Sequence, residues 1–388
     1  MNNIAEQQII LSIARRERYL DIRRDLNWDY LFTLAQAHGL LPLLHKHLNN
    51  ADSIPLQFLS RLKQATVANS QAVLHLVGKQ LRVYKLFKEN NIPVALFKGP
   101  LLAQMAYGEL SLRQAGDIDL LIHRHHFDRA TALLEAGGYQ MHPKLTPAQL
   151  DSHLAFHCEL PFVRDDWFTV VDLHWQLAPR SFVFRLTAEE VMSRLQTVSF
   201  GGTEVQTFSN EDLVLYQSMH GAKHLWRRLE WITALAESLR AAPEISWDTI
   251  VDRAAQACAT RMLALGLRLV ELFCGASVPS HVLAAVDFDN PMQRLAKEIF
   301  EQIFTTSGPA DSAETNLYNL RIMDRKRDAL LSAMRAIFIP TLPDWEALAL
   351  PAPLHSLYYA FRPLRLSKLY STSLLQRATG IASKKHNA

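Results

Sequence analysis

Three aspartates set inside apolar runs constrain this chain more than any other feature. Asp117 and Asp119 open the run Asp117-Ile118-Asp119-Leu120-Leu121-Ile122, and Asp172 sits within Val170-Val171-Asp172-Leu173-His174-Trp175. A carboxylate left alone among buried side chains is costly, so the fold must bring these acids to a cation or to hydrogen-bond donors. Asp117 and Asp119 stand i, i+2 on an expected strand and so point to one sheet face. Side by side they repel each other unless a cation lies between them. Mg²⁺ carried by triphosphate oxygens suits the pair, because it takes one or two carboxylates together with phosphates. Asp172 on an adjacent strand supplies a third acid and the means to hold two ions roughly 3.5–4 Å apart.

The surrounding pattern gives an α+β chain. Residues 1 to 90 read as a helical N-terminal region, with Asn27 as an N-cap before Trp28, Leu31, Leu34 and Ala35. The helical pattern resumes over residues 58–89. Ile92 to Phe97 is a short apolar run that stops at Lys98-Gly99-Pro100, which predicts a buried strand and a helix with Pro100 at its first position. Glycine lets the backbone come close to a phosphate, the helix start offers free N–H groups, and Lys98 supplies charge. An ordinary strand-to-helix turn with a solvated lysine has the same local sequence.

His125 to Ala136 predicts a helix closed by Gly137-Gly138. The runs 155–163 and 168–175 predict a hairpin turning at Arg164-Asp165-Asp166-Trp167. Val163 would then face Phe168, and Glu159, His157, Asp172 and His174 would line one face. The core so defined spans residues 91–208. Residues 209–388 read as a helical C-terminal region, with clear segments at 212–240 and 247–273, a loop at 305–315, a basic tail and disorder over 383–388.

The chain has 388 residues, 49% of them hydrophobic and 20% charged, which excludes a disordered class for its bulk. A formal net charge of +3 admits an anionic substrate without requiring nucleic acid. Cys158, Cys258 and Cys274 show no C-x-x-C spacing, so neither a disulfide framework nor a cysteine zinc site is expected. No signal peptide or membrane span is visible, and a cytoplasmic protein is expected.

Three blocks together resemble a known family: Phe97-Lys98-Gly99-Pro100-Leu101-Leu102, residues 112–122, and Leu133 to Tyr139. They are similar to a bacterial family of uncharacterised nucleotidyltransferases within the DNA-polymerase-β-like superfamily. Residues 171–175, His220 to Leu229 and the N-terminal stretch from Asn27 to Leu44 resemble further blocks, so the likeness covers roughly residues 25–240. It implies a minimal nucleotidyltransferase fold, a mixed sheet flanked by helical regions, in which Asp117, Asp119 and Asp172 hold Mg²⁺ or Mn²⁺. Lys98 and Gly99 would lie by the phosphates of an NTP such as ATP. The reaction implied moves a nucleoside monophosphate to an acceptor that the sequence does not name, with release of pyrophosphate. A catalytically silent nucleotide-binding or scaffold protein of the same fold, or a modifier of RNA or protein, are the alternatives. Pro100 stands where many superfamily members carry Ser, and Thr233-Ala234 follow Trp231-Ile232 where an acid is usual in the family.

Other residues admit two readings each. Arg113, four residues before Asp117, is in reach of a phosphate or of Asp117 itself. His220 and His224, at i, i+4, have a spacing compatible with zinc but no evident third ligand, and a packed polar helix face is the plainer reading. Lys223 and Arg227 are either cleft residues or solvated helix charges. His174 is read as a hydrogen-bonded strand histidine rather than a base, and His123, His125 and His126 as loop residues. The tail from Arg362 through Arg365, Lys368 and Arg377, interleaved with Tyr358, Tyr359 and Tyr370, has the charge and aromatics of a nucleic-acid contact. A helix docked on the body is preferred.

Overall fold

Four helices precede the sheet in the computed structural model, which describes residues 4–379 apart from 21, 24, 49–53, 165–168, 288–289 and 306–311. They are α1 (Ile4–Ala14), α2 (Trp28–Ala37), α3 (Leu41–Leu48) and the long α4 (Leu56–Glu89). Asn27 caps α2 as expected, its side chain accepting from the Tyr30 N–H at 3.0 Å. Gly39, at φ +73, turns the chain between α2 and α3.

The central segment runs β1 (Val94–Leu96), α5 (Gly99–Tyr107), β2 (Asp117–Ile122), α6 (Phe127–Ala136), β3 (Tyr139–Met141), α7 (Pro147–Phe156), β4 (Glu159–Arg164) and β5 (Val170–His174). Its sheet is mixed, with strand order β1-β2-β5-β4-β3; only the β2–β5 pair is parallel. A short helix, α8 (Ala188–Met192), leads to a separate hairpin of β6 (Gln196–Phe200) and β7 (Thr203–Thr207). Gly201 and Gly202, at φ +53 and +75, form its two-residue turn.

Alternation along the strands separates the two sheet faces. Ile118, Leu120, Ile122, Val171, Leu173, Leu160 and Phe162 enter one apolar core with α4 and α6. Ala95, Phe97 and Leu121 enter a second core, which joins the N-terminal helices to the helices that follow the sheet. The acids lie on this second face, where Asp119 is buried and Asp117 stays exposed.

Helices from both ends of the chain therefore share one apolar interior. Those on the C-terminal side are α9 (Asn210–Lys223), α10 (Leu229–Ala241), α11 (Trp247–Gln256), α12 (Thr260–Cys274), α13 (Ser280–Val286), α14 (Pro291–Gln302), α15 (Ser312–Ile322), α16 (Lys326–Phe338), α17 (Leu342–Ala347) and α18 (Tyr358–Thr379).

Several boundaries correct the sequence reading. The segment 212–240 is two helices, because Leu225 and Trp226 adopt left-handed backbone at φ +57 and +51. That break folds the Trp226 ring back over Gly221 into the core. A similar break at Cys258, φ +54, divides 247–273. Residues 155–157 are not strand: α7 runs to Phe156, started by a Thr146–Gln149 capping box, and His157 is its C-cap. Ser312 already opens α15, so the loop expected at 305–315 ends sooner; its middle lies outside the described residues, as do 383–388.

The hairpin register is shifted by two residues from the expected one, with Val163 opposite Val170 and Glu159 opposite His174. The turn itself lies mostly outside the described residues. Thr169, fully buried and hydrogen-bonded by the Lys79 ammonium, lengthens the connection. An even slip keeps every side chain on its face, so Glu159, Asp172 and His174 still share one.

The tail forms a helix held to the body. Arg362 and Arg365 both reach Asp344 at 2.6 Å, and the Tyr358 hydroxyl donates to the Leu348 carbonyl at 2.6 Å. Two of the basic residues considered for nucleic-acid contact are thus engaged inside the protein. No helix among the described residues is long and apolar enough to cross a membrane.

Candidate active site

The parallel β2–β5 pair brings the three acids together. Asp119 lies directly opposite Asp172 in the register, and Asp117 sits one pleat earlier on the same face. Asp119 is 2% exposed, Asp172 half-buried and Asp117 at the exposed strand end. Lys98, at the N-cap position of α5, donates from Nζ to Asp119 Oδ1 at 2.7 Å. His174 Nε2 lies 2.9 Å from the same oxygen.

Lys98 is therefore a paired, mostly buried ammonium rather than a solvated turn residue. Gly99, at φ +57, makes the strand-to-helix turn beside it; a Cβ there would meet the Asp117 carbonyl oxygen at 3.5 Å. Phe97, one residue earlier, stacks on Phe208 at 4.6 Å and meets Tyr216 and His174 edge-on at 5.0 and 5.1 Å. These rings cover one side of the Lys98–Asp119 pair, and the lower local dielectric strengthens it.

The charges shift one another in opposite directions. Burial works against ionised Asp119, but Lys98 and His174 outweigh it and hold the carboxyl well below the usual range. Burial also opposes the Lys98 ammonium, yet Asp119, Tyr216 and Glu159 hold its pKa well above that of an ordinary lysine. Asp172 has no such partner: burial, then the charge of Asp119, push its pKa up to about 7. Asp117 is raised by burial and by Asp119, against the pull of Lys98 and Arg113.

A cleft of about 400 Å³ is lined by Lys98, Gly99, Asp117 and Asp119 and by Arg113, His220 and Glu230, but not by Asp172. Arg113 pairs with Glu230 at 2.9 Å rather than with Asp117, and Arg228 reaches the other Glu230 oxygen at 2.8 Å. Glu230 went unrecognised in the sequence, where the expected acid was sought two residues past Trp231. An acid at the first turn of a helix, just before Trp231, was the available signal.

His220 and His224 pack against each other and against Trp231, with centroid separations of 4.7, 5.7 and 5.3 Å. Burial, then neighbouring cations, lowers the pKa of both, His224 to about 4. Among the described residues no metal-type cluster includes them. Arg227 engages Glu314 at 2.5 Å, away from the acids. Lys223 on α9 is half-buried and acts electrostatically on Glu159. His123, His125 and His126 stack in the turn before α6.

Asp117 and Asp172 take no hydrogen bond or ion pair among the described residues, and the three aspartates do not form a group with ligand atoms all within 4.8 Å of one another. Oxygen-rich, mutually repelling and partly accessible, they match the preferences of Mg²⁺ or Mn²⁺.

No curated protein matches the chain. Among solved structures, the antibiotic-resistance factor ANT(2'')-Ia is similar over 48% of this chain and 91% of its own, at 17% identity and a TM-score of 0.32. The profile of the family described as uncharacterised nucleotidyltransferase matches residues 24–275, well over half of the 388 residues, and the chain belongs to that family.

Proposed function

We propose that this chain transfers a nucleoside monophosphate from an NTP to an acceptor hydroxyl or phosphate, with pyrophosphate as the leaving group. The reading rests above all on the register of Asp119 against Asp172 across parallel strands, with Asp117 on the same face. It includes a polymerase-β-like arrangement of the sheet. Asp117, Asp119 and Asp172 would hold Mg²⁺ or Mn²⁺. Bound there, the metal supplies charge neutralisation for the triphosphate and acidifies the attacking group.

The chain's own residues account for the rest. Gly99, beside the start of β2, and Leu101 carry the backbone N–H groups for the phosphates, since Pro100 has none and that of Leu102 donates to the Lys98 carbonyl. Lys98 passes from Asp119 to the triphosphate and offsets charge on the leaving pyrophosphate. Arg113, held by Glu230, keeps a fixed guanidinium on the cleft wall. Asp172 would ligate the ion beside the acceptor and assist the loss of the acceptor's proton. His174 keeps Asp119 oriented from behind.

The test is Mg²⁺-dependent pyrophosphate release, measured with each NTP in turn and a pool of small-molecule, RNA and protein acceptors. One observation favours the silent alternative: Lys98 already occupies the Asp119 oxygen that His174 also contacts. No release from any NTP, together with retained NTP binding, would establish that alternative instead.

Two further outcomes are expected. Replacing Lys98 by Met removes a cation that competes with metal at Asp119. Mn²⁺ alone, followed by its electron paramagnetic resonance signal, should bind severalfold tighter, while NTP binds at least tenfold more weakly. Weaker binding of both would contradict the exchange of Lys98 between carboxylate and phosphate. Asp172 must lose its proton to ligate, so with a pKa of about 7 the Mn²⁺ affinity should rise about tenfold from pH 6 to pH 8. Asp172→Asn should flatten that profile; an unchanged profile would place the titration elsewhere.

A further inference from the structure

Behind Asp119, on the side away from the cleft, His174 faces a second set of ligating atoms. Cys158 Sγ, a Glu159 carboxylate oxygen and a His174 ring nitrogen all lie within 4.8 Å of one another. Their placement follows from the sheet. Cys158 ends the link from α7, Glu159 opens β4, and His174 closes β5 directly opposite Glu159. The Cys158 carbonyl accepts from the Trp175 and Gln176 N–H groups at 3.0 and 3.3 Å, which fixes its backbone beside the histidine. Cys158 and His174 are buried, whereas the Glu159 side chain keeps 37% exposure and a path to water.

The contacts of His174 sharpen the point. Its Nε2 lies 2.9 Å from Asp119 Oδ1. Nδ1 faces the other side. It lies 3.1 Å from Glu159 Oε2, yet the alignment is not that of a hydrogen bond and this buried nitrogen has no hydrogen-bond partner among the described residues. A ring nitrogen, a carboxylate oxygen and a sulfur therefore converge on one spot with no hydrogen bond made by the nitrogen. Lys223 and Lys98 act on Glu159 from α9 and from the α5 cap, but neither makes an ion pair with it among the described residues.

The geometry points to a second metal site, formed by Cys158, Glu159 and His174 Nδ1, that takes a borderline divalent ion such as Zn²⁺. An N, O and S set with an open fourth position suits zinc and not Mg²⁺. Bonds of about 2.0–2.3 Å at tetrahedral angles set ligand atoms roughly 3.3–3.8 Å apart; His174 Nδ1 and Glu159 Oε2 stand 3.1 Å apart, and all three atoms lie within 4.8 Å of one another. The Asp119 contact at His174 Nε2 is the outer hydrogen bond that metal-bound histidines generally make. Binding converts the Cys158 thiol to a thiolate and releases one proton to solvent. The ion would fix the imidazole, and through it Asp119. The site does not depend on nucleotidyl transfer, so its failure and the failure of that reading are separable.

Co²⁺ added alone to the metal-free full-length protein tests this. A near-ultraviolet sulfur-to-cobalt charge-transfer band is expected, at one ion per chain, displaced by Zn²⁺ but not by Mg²⁺. Cys158→Ser should abolish the band, while Cys274→Ser and Asp117→Asn keep it. Glu159→Gln should weaken Co²⁺ binding at least tenfold, and it decides the matter if Cys158→Ser does not fold. Absence of the band in the wild type, its survival in folded Cys158→Ser, or unchanged affinity in Glu159→Gln would overturn the site.

Discussion

Asp117→Asn and Asp119→Asn are expected to abolish nucleotidyl transfer equally, by at least a thousandfold, and to differ sharply in stability. Each removes one carboxylate from the proposed metal-binding face, and loss of a preorganised charge in such a site commonly costs two to three orders of magnitude or more. Asp117 stands at the exposed strand end and makes no ion pair among the described residues, so its neutralisation should leave stability unchanged or slightly raised. Asp119 is 2% exposed and is the partner of Lys98 at 2.7 Å. Removing its charge strands a desolvated ammonium, at a cost of about 3–5 kcal/mol. Urea unfolding beside a pyrophosphate assay separates the two variants. Equal stability would mean that Lys98 finds another partner; full activity in either would remove that acid from the site.

Gly221→Val should destabilise the protein by roughly 3 kcal/mol or more, without touching the acids. A Cβ at position 221 would lie 2.4 Å from two atoms of the Trp226 ring, which is fully buried between α9 and α12. The ring has little room to retreat, because a Cβ at Gly266 on its other side would itself be 3.3 Å from it. Its backbone is already fixed in the left-handed region at φ +51. α9 also carries Tyr216 and His220 over the acid face, so a displaced α9 should loosen the cleft as well. The measurement is the urea midpoint of Gly221→Val against wild type. A shift below about 1 kcal/mol would show that Trp226 can be repacked.

Much of the site was legible because buried acids are rare enough to stand out in an apolar run. Asp117 and Asp119 could be placed on one face from the two-residue period of a strand alone, whereas the facing of Asp172, on another strand, depends on the pairing. Lys98-Gly99 could be placed at a helix start from Pro100. The partners of those residues were not legible, because they depend on which strands pair and which helix covers them. Nothing local says that Lys98 reaches Asp119 or that Arg113 turns to Glu230, more than a hundred residues away. The helix breaks at Leu225 and Cys258 escaped for another reason. Neither Gly nor Pro marks them, and left-handed backbone at such residues is set by tertiary packing, as where the Trp226 ring lies over Gly221. Strand β3 is three residues long and follows a glycine pair, too short to give a period. The hairpin slip was recoverable only in part: parity survives a two-residue shift, whereas His157, outside the strand, lost its expected place.

The central claim is most directly tested by following both ends of the triphosphate. The protein is incubated with Mg²⁺, an acceptor pool and NTP labelled at either the α or the γ phosphate. The account predicts that α label enters the acceptor while γ label leaves in pyrophosphate, and that Asp117→Asn abolishes both. Transfer of the γ label, or α-label transfer that persists without divalent metal, would contradict it.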